Sequence, residues 1–356
     1  MTSASRIVYI DVIRILACIC IFTIHFNASI CGFDRYGFFA FSHEIVPNYY
    51  FDIYLGSLGV GLFFIVSGAA LQLKPLTKLD SGEIVQFYKK RALSIYPAFW
   101  IAFFVATLFC FYYYKGMTDA DVSELVASLL GLDGYLYTMV GWGGGFYQVG
   151  EWFIGCIILI YLIYPLLSIS FTKQPLITTI VISSLFLFVK YYTDLSPYFL
   201  TYWLPYVLAG MILTRYFRQV RIAVHLVIIY LVILGSCLAH AYSFMEIYTI
   251  FVCIAIYLIL QLLVSLLELK TSMFSEARVS MITKISLLTY PIFLVHHKVI
   301  SIIVNEYYLE GLYFPYRYSV VLYLICFTVT VILSYFLLKY SRTFTDFLVR
   351  TFNMRK

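Results

Sequence analysis

The chain has 356 residues, of which 63% are hydrophobic and only 12% are charged. A water-soluble protein of this length needs a far more polar surface, so the composition excludes a soluble globular protein. The net charge of +6 does not indicate a nucleic-acid partner, because the basic residues are better explained by the orientation of membrane loops. Apolar runs continue to the end of the sequence, which predicts an all-α polytopic membrane protein.

Hydropathy predicts a bundle of about ten transmembrane helices. The predicted spans are 7–28, 52–73, 92–114, 150–168, 175–192, 198–214, 222–240, 246–267, 285–304 and 318–338. The apolar stretch 122–140 contains Asp133 and glycines, so we expect a surface or re-entrant helix there, with an eleventh span as the alternative. The first span contains charged residues and lacks a small-residue cleavage site, so we interpret it as a retained helix and not as a signal peptide.

The loop charges predict the orientation of the chain. With the N-terminus inside, 18 lysines and arginines fall on the cytoplasmic side and four on the outer side, so both termini are predicted to be cytoplasmic. Residues 1–338 are predicted to form one transmembrane domain, and residues 339–356 a short basic cytoplasmic tail. The eight cysteines are scattered and lack zinc-ligand spacing, so free thiols and no metal are expected.

The first span, YIDVIRILACICIFTIHF (9–26), contains Asp11, Arg14 and His25 in a segment otherwise suited to lipid. Arg14 and His25 lie three helical turns apart, so they share one face and are separated by about 16 Å along the axis. Asp11 precedes Arg14 by three residues, within reach of a side-chain pair. Because charge inside a bilayer is costly, this polar stripe predicts a protein interior or a wet cavity on that face. Alternatively, Arg14 extends to the cytoplasm, Asp11 only neutralises it, and His25 is a hydrogen-bonded core residue.

Two further groups of basic and imidazole side chains occur in or beside spans. Lys89, Lys90 and Arg91 begin the third span, where they either bind the phosphates of an anionic substrate or only satisfy the positive-inside rule. His296 and His297 lie in the ninth span and point about 100° apart. One of them is expected to line a cavity, while the other meets packed side chains or water.

The segment GWGGGFYQVG (141–150) precedes Glu151 and Trp152 at the outer end of the fourth span. It lacks the GK[ST] ending of a phosphate-binding loop, so it is either a flexible external loop or a contact for a sugar. Trp152 either stacks on a sugar or anchors the membrane interface. Ser67 lacks the G-x-S-x-G context of a serine nucleophile, so we assign it, with Gly68, to helix packing.

The arginine and histidine of the first span resemble the signature of the acyltransferase-3 family of integral membrane O-acyltransferases. Further segments resemble family motifs in the same order and cover nearly the whole chain: LFFIVSGAALQLK (62–74), FYKKRALSIYPAFW (87–100), EWFIGCIILIYLIYPLL (151–167), LPYVLAGMIL (204–213) and SLLTYPIFLVHH (286–297). The sequence departs from the family at Ser94, where a second arginine commonly follows Arg91. Some members carry an appended extracytoplasmic domain, but here the chemistry is expected within the membrane domain.

The resemblance implies a multi-pass O-acetyltransferase of the bacterial inner membrane. It would transfer an acyl group, with acetyl as the first expectation, from cytoplasmic acetyl-CoA. The acceptor would be a hydroxyl of a cell-envelope polysaccharide, such as O-antigen, or of a lipid-linked glycan precursor. The alternatives are a transporter or flippase for a lipid-linked sugar, and an O-acyltransferase that uses another donor such as succinyl-CoA. The expected partners are acyl-CoA, the glycan and membrane lipids, without nucleic acid.

With this activity as the expectation, the positions and chemistry of the polar residues described above suggest their roles. His25 is the expected catalytic residue, either as a general base or as a transient acyl carrier. The expected donor-binding residues are Arg14, Arg91 and Lys90. The residues expected to contact the acceptor or line the cavity are Asp11, Glu151, Trp152, His296 and His297.

Overall fold

The structure is a computed structural model, and it describes residues 7–31, 44–113, 122–142, 149–218, 220–270, 275–308 and 316–351. These residues are almost entirely α-helical, with one short antiparallel ribbon of two strands, β1 (Tyr49–Tyr50) and β2 (Ile53–Tyr54). The helices are α1 (Val8–Cys31), α2 (Leu55–Gln72), α3 (Ser81–Tyr113), α4 (Leu125–Leu130), α5 (Asp133–Val140), α6 (Glu151–Lys173), α7 (Pro175–Tyr192), α8 (Leu200–Tyr216), α9 (Ile222–Ala241), α10 (Met245–Lys270), α11 (Glu276–Tyr308) and α12 (Tyr316–Thr351). The predicted all-α class is confirmed.

Within the described residues, nine helices are long and apolar enough to cross a membrane. A further helix, α8, has 17 residues and coincides with the predicted span 198–214, so every predicted span falls on a helix. The stretch 122–140 contains a 3-10 turn (Val122–Glu124) and two short helices, α4 and α5, of 6 and 8 residues. Because a span needs about 20 residues, the alternative of an eleventh span there is wrong. Gly131, with φ +72°, ends α4.

Three helices extend well beyond the predicted spans. The third span was predicted to begin at residue 92, whereas α3 begins at Ser81. The ninth span was predicted to begin at residue 285, whereas α11 begins at Glu276. The last helix, α12, continues to Thr351, so residues 339–351 of the predicted tail are helical. Residues 352–356 lie outside the described part of the chain.

The chain divides into two compact units. Unit 1 consists of residues 1–74, 205–289 and 313–321, and unit 2 of residues 75–204, 290–312 and 322–356. In unit 1, α2 packs against α1 and α10, and α9 packs against α10. In unit 2, α6 packs against α3, α5 and α7. The apolar segments of α1, α2 and α6 are mostly buried, whereas those of α7 and α9 are mostly exposed.

Glycines allow the helices of unit 1 to approach at backbone distance. A β-carbon on Gly68 of α2 would overlap the carbonyl of Val207 in α8, and one on Gly210 of α8 would overlap the carbonyl of Ile65 in α2. A β-carbon on Gly59 would lie 3.0 Å from the carbonyl oxygen of Ala17 in α1. The prediction that Gly68 of the second span serves close helix packing is confirmed.

We expect Gly68→Ala to lower the free energy of unfolding by about 1–3 kcal/mol, because the added methyl group forces α2 and α8 apart. Thermal unfolding in detergent, followed by the fluorescence of a thiol-reactive dye, measures this as a lower midpoint. Gly82→Ala is the matched control, since Gly82 is exposed in the first turn of α3, and it should leave the midpoint unchanged or slightly raised. Equal midpoints for the two variants would contradict the close crossing.

Candidate active site

In unit 1, the polar stripe of α1 begins with a buried carboxylate that has three hydrogen-bond donors. Asp11 is 1% exposed. It accepts hydrogen bonds from Ser286 Oγ at 2.7 Å and Thr283 Oγ1 at 3.2 Å, both on α11, and it lies 3.4 Å from Arg14 Nη1. These donors compensate the burial of the charge. Asp11 therefore fixes the rotation of α1 against α11 and orients the guanidinium of Arg14.

The same face of α1 continues towards His25. Cys18 donates to the carbonyl oxygen of Thr289 at 3.8 Å, which adds a second contact to α11 about two turns beyond Asp11. Arg14 retains 29% side-chain exposure, and His25 is half-buried. The stripe thus offers a positioned guanidinium and, three turns further on, an imidazole, and neither side chain is fully exposed.

In unit 2, Arg91 is held by aromatic rings at the beginning of the third predicted span. Its guanidinium carbon lies 5.7 Å from the ring centroid of Phe87 and 5.5 Å from that of Tyr161 on α6. Phe87 itself stacks on the ring of Tyr164 at 5.1 Å. Cation–π contacts of this kind hold a guanidinium in place without neutralising it. Among the described residues, no hydrogen-bond acceptor faces the buried Arg91 Nε, so the two aromatic rings are what holds this guanidinium.

The neighbours of Arg91 have other environments. Lys89 and Lys90 are exposed, so they contribute positive potential and no fixed contact geometry. Ser94 donates to the carbonyl oxygen of Arg91 at 2.8 Å. The Ser94 hydroxyl is thus bonded to its own helix, and it does not supply the guanidinium fork of the arginine that commonly stands there in the family that the sequence resembles.

Also in unit 2, a carboxylate and an imidazole meet where α6 begins. Glu151 Oε1 lies 3.5 Å from His297 Nδ1 on α11. The Glu151 side chain is 13% exposed and that of His297 36% exposed. Glu151 has φ +39°, directly after Gly150 with φ +91°, and a non-glycine residue in this region is strained. Such strain, at a residue that directs a carboxylate at an imidazole, is typical of functional sites.

His296 and His297 have different surroundings, as their 100° separation on α11 requires. His296 is 1% exposed. Its Nδ1 lies 2.8 Å from the carbonyl oxygen of Phe293 and 3.1 Å from that of Ile292, so we assign a proton to Nδ1, which donates to these acceptors. His297 is half-exposed and lies beside Glu151.

An aromatic cluster lies next to Glu151. Trp152 stacks on Trp203 of α8, with ring centroids 5.4 Å apart and an interplanar angle of 28°, and it lies 4.9 Å from Tyr198. The sequence indicated Trp152 but not its two partners, although the aromatic run around 198–206 was the available signal. Residues 143–148 of the glycine-rich segment, predicted to be a flexible loop or a sugar contact, lie outside the described residues.

The comparisons with known proteins identify one family. A family model described as an acyltransferase domain matches residues 7–339, which is nearly the whole chain. No curated protein and no solved structure matches the chain.

Proposed function

Because the chain belongs to the acyltransferase-3 family of membrane acyltransferases, we propose that it transfers an acetyl group from cytoplasmic acetyl-CoA. The proposed acceptor is a hydroxyl group of a cell-envelope polysaccharide or of its lipid-linked precursor, and the proposed location is the bacterial inner membrane. The polar stripe of α1 carries the proposal: a buried carboxylate positions Arg14, and His25 lies three turns further along the same face. A structural helix in lipid has no need of such a stripe.

Coenzyme A is polyanionic, so its phosphates need fixed positive charge. Arg14 is positioned for this role by Asp11, and an arginine fork binds phosphate through two parallel hydrogen bonds. In unit 2, Arg91 is a second phosphate ligand, held by Phe87 and Tyr161. The exposed Lys90 raises the local concentration of the anionic donor electrostatically.

The reaction replaces the carbon–sulfur bond of the thioester with the carbon–oxygen bond of an ester. The acceptor hydroxyl oxygen bonds to the thioester carbonyl carbon, the carbon–sulfur bond breaks, and coenzyme A leaves as a thiolate that takes up a proton. His25 removes the hydroxyl proton as a general base, or it first accepts the acetyl group on nitrogen and then passes it to the hydroxyl. The thin pantetheine arm of coenzyme A is long enough to cover the roughly 16 Å between Arg14 and His25.

The acceptor glycan requires a surface that binds sugar. In unit 2, the half-buried Trp152 and the exposed Tyr198 form an aromatic surface of the kind on which the apolar face of a pyranose stacks, and the buried Trp203 packs against Trp152. Glu151 and His297 lie beside it and offer hydrogen-bonding groups for sugar hydroxyls. We therefore assign this part of unit 2 to the acceptor.

Mass spectrometry of the surface glycan from cells with and without the protein tests the proposed function. Loss of a two-carbon ester is the expected result. Loss of a larger acyl group, such as succinyl, would mean that the donor is a different acyl-CoA. Loss of the whole surface glycan would favour a transporter or flippase and contradict the proposal.

We expect Trp152→Ala to raise the KM for the glycan about tenfold and to leave kcat within about twofold, because stacking contributes binding energy and no chemistry. Steady-state acetylation with varied acceptor concentration measures both constants. The control is Tyr112→Ala, which removes an exposed aromatic side chain of α3 and should change neither. An unchanged KM in Trp152→Ala would mean that Trp152 only anchors the membrane interface.

A further inference from the structure

Unit 2 contains a cavity of about 510 Å³ formed by α3, α11 and α12. Its lining includes Ala106 of α3, Val299 of α11 and Leu333 of α12. The volume lies within the range of roughly 300–1,000 Å³ that is usual for small-molecule pockets. Among the described residues that line this cavity, Lys298 alone is charged.

Lys298 is an unusual residue for this position. It belongs to the apolar, membrane-crossing segment of α11 and is half-buried. Within the described part of the chain, no carboxylate lies within salt-bridge distance of its ammonium group. A lysine in such a segment is costly and marks the position of a partner of opposite charge. An apolar cavity with one cation at its wall is therefore complementary to a hydrocarbon chain that ends in an anion.

The position of the cavity favours one class of lipid as its ligand. Lys298 directly follows His297, and Val149, which also lines the cavity, lies two residues before Glu151. Glu151 and His297 form the carboxylate–imidazole pair assigned above to the acceptor. A lipid phosphate bound at Lys298 would thus lie next to the residues that contact the sugar, which fits a glycan carried on that lipid better than a bulk phospholipid.

We propose that this cavity binds the hydrocarbon chain of a lipid-linked acceptor glycan and that Lys298 pairs with the phosphate joining glycan and lipid. The proposal rests on the proposed function, since it takes a glycan to be the acceptor. It deepens that function by placing the acceptor on a membrane lipid carrier. The cavity holds part of a long chain, and the rest of the chain extends into the bilayer.

Photocrosslinking to the full-length protein in phosphatidylcholine nanodiscs tests the proposal. One probe is a polyisoprenyl phosphate that carries a sugar and has a diazirine in its chain, and the other is phosphatidylglycerol with a diazirine in an acyl chain. We expect the polyisoprenyl phosphate to label peptides of α3, α11 and α12 and the phosphatidylglycerol to label them at least tenfold less. Equal labelling by the two probes would overturn the proposal, because it would describe a site for bulk lipid.

Variants separate the contributions of charge and space. Lys298→Met keeps the length of the side chain and removes its charge, so polyisoprenyl phosphate labelling should fall about tenfold, while Lys298→Arg should retain it. Ala106→Trp fills the cavity and should abolish labelling. Leu108→Trp is its control, because Leu108 lies on the same helix, is 69% exposed and does not line the cavity. Undiminished labelling in both Lys298→Met and Ala106→Trp would overturn the proposal.

The labelling needs no acyl donor, so its outcome is independent of catalysis. Labelling at the cavity without any acetyl transfer would contradict the proposed function and leave the lipid site standing. Acetyl transfer to a lipid-linked glycan at the wild-type rate in Ala106→Trp would overturn the lipid site and leave the proposed function standing.

Discussion

Replacing His25 with alanine is expected to lower the rate of acetyl transfer by about 10²–10⁴-fold, the usual contribution of a positioned general base. His25 is half-buried and shares a face of α1 with Asp11 and Arg14. Because a free imidazole has a pKa of about 6.5, it is the side chain best suited to remove a hydroxyl proton at neutral pH. Transfer of radiolabelled acetyl to glycan by purified protein measures the effect.

The histidine prediction has a matched control in unit 1. His240 lies 2.9 Å from Asp52 Oδ2, and both side chains are exposed, so His240→Ala should keep the wild-type rate. Size-exclusion chromatography of both variants verifies that the protein remains folded. A wild-type rate in His25→Ala would remove His25 from the mechanism. Rapid denaturation at neutral pH of wild-type protein that has been mixed with labelled acetyl-CoA alone distinguishes the two mechanisms, since only an acyl carrier retains label.

Glu151→Gln is expected to raise the KM for the glycan about 10- to 100-fold, because the amide keeps the shape of the side chain but loses the charge that faces His297 Nδ1 and orients this pair towards the sugar hydroxyls. A carboxylate fixes the orientation and the tautomer of the imidazole beside it, and an amide does so poorly. The acetylation assay at varied glycan concentration measures KM and kcat. A Glu151 with no role in acceptor binding would leave the KM unchanged.

The strained backbone at Glu151 allows a second, independent measurement. Glu151→Gly relaxes the φ of +39° and should raise the free energy of unfolding by about 1 kcal/mol while activity is lost. Ser243→Gly is the matched control, since Ser243 has φ +59° between α9 and α10. It should raise stability by a similar amount with full activity. Retained activity in Glu151→Gly would show that the carboxylate is dispensable.

The helices could be predicted from the sequence, but their lengths could not. Every predicted span falls on a helix because hydropathy reports which segments are suited to lipid. The same signal ends where a helix leaves the lipid, so it missed the residues of α3 before residue 92 and those of α12 after residue 338. The break of 122–140 into α4 and α5 depends on the left-handed backbone of Gly131, which composition alone does not reveal.

The individual site residues could be predicted more readily than their partners. Asp11, Arg14 and His25 were found because charge in an apolar run is conspicuous, and Arg14 does lie beside Asp11. The contact of Asp11 with Ser286 joins residues 275 positions apart, and no local pattern predicts such a contact. The short polar side chains of α11 resemble ordinary small residues of a membrane helix, so the hydrogen bonds to Asp11 appear only in the folded chain.

The most direct test of the proposed acetyl transfer uses purified full-length protein in proteoliposomes that contain a lipid-linked glycan. Acetyl-CoA that is labelled in both its acetyl group and its coenzyme A group is added outside the vesicles. Alkali-labile acetyl should appear on the glycan in one-to-one ratio with released coenzyme A thiol, and both products should be lost together in His25→Ala. Movement of the glycan across the bilayer without consumption of acetyl-CoA would contradict acetyl transfer and identify a transporter instead.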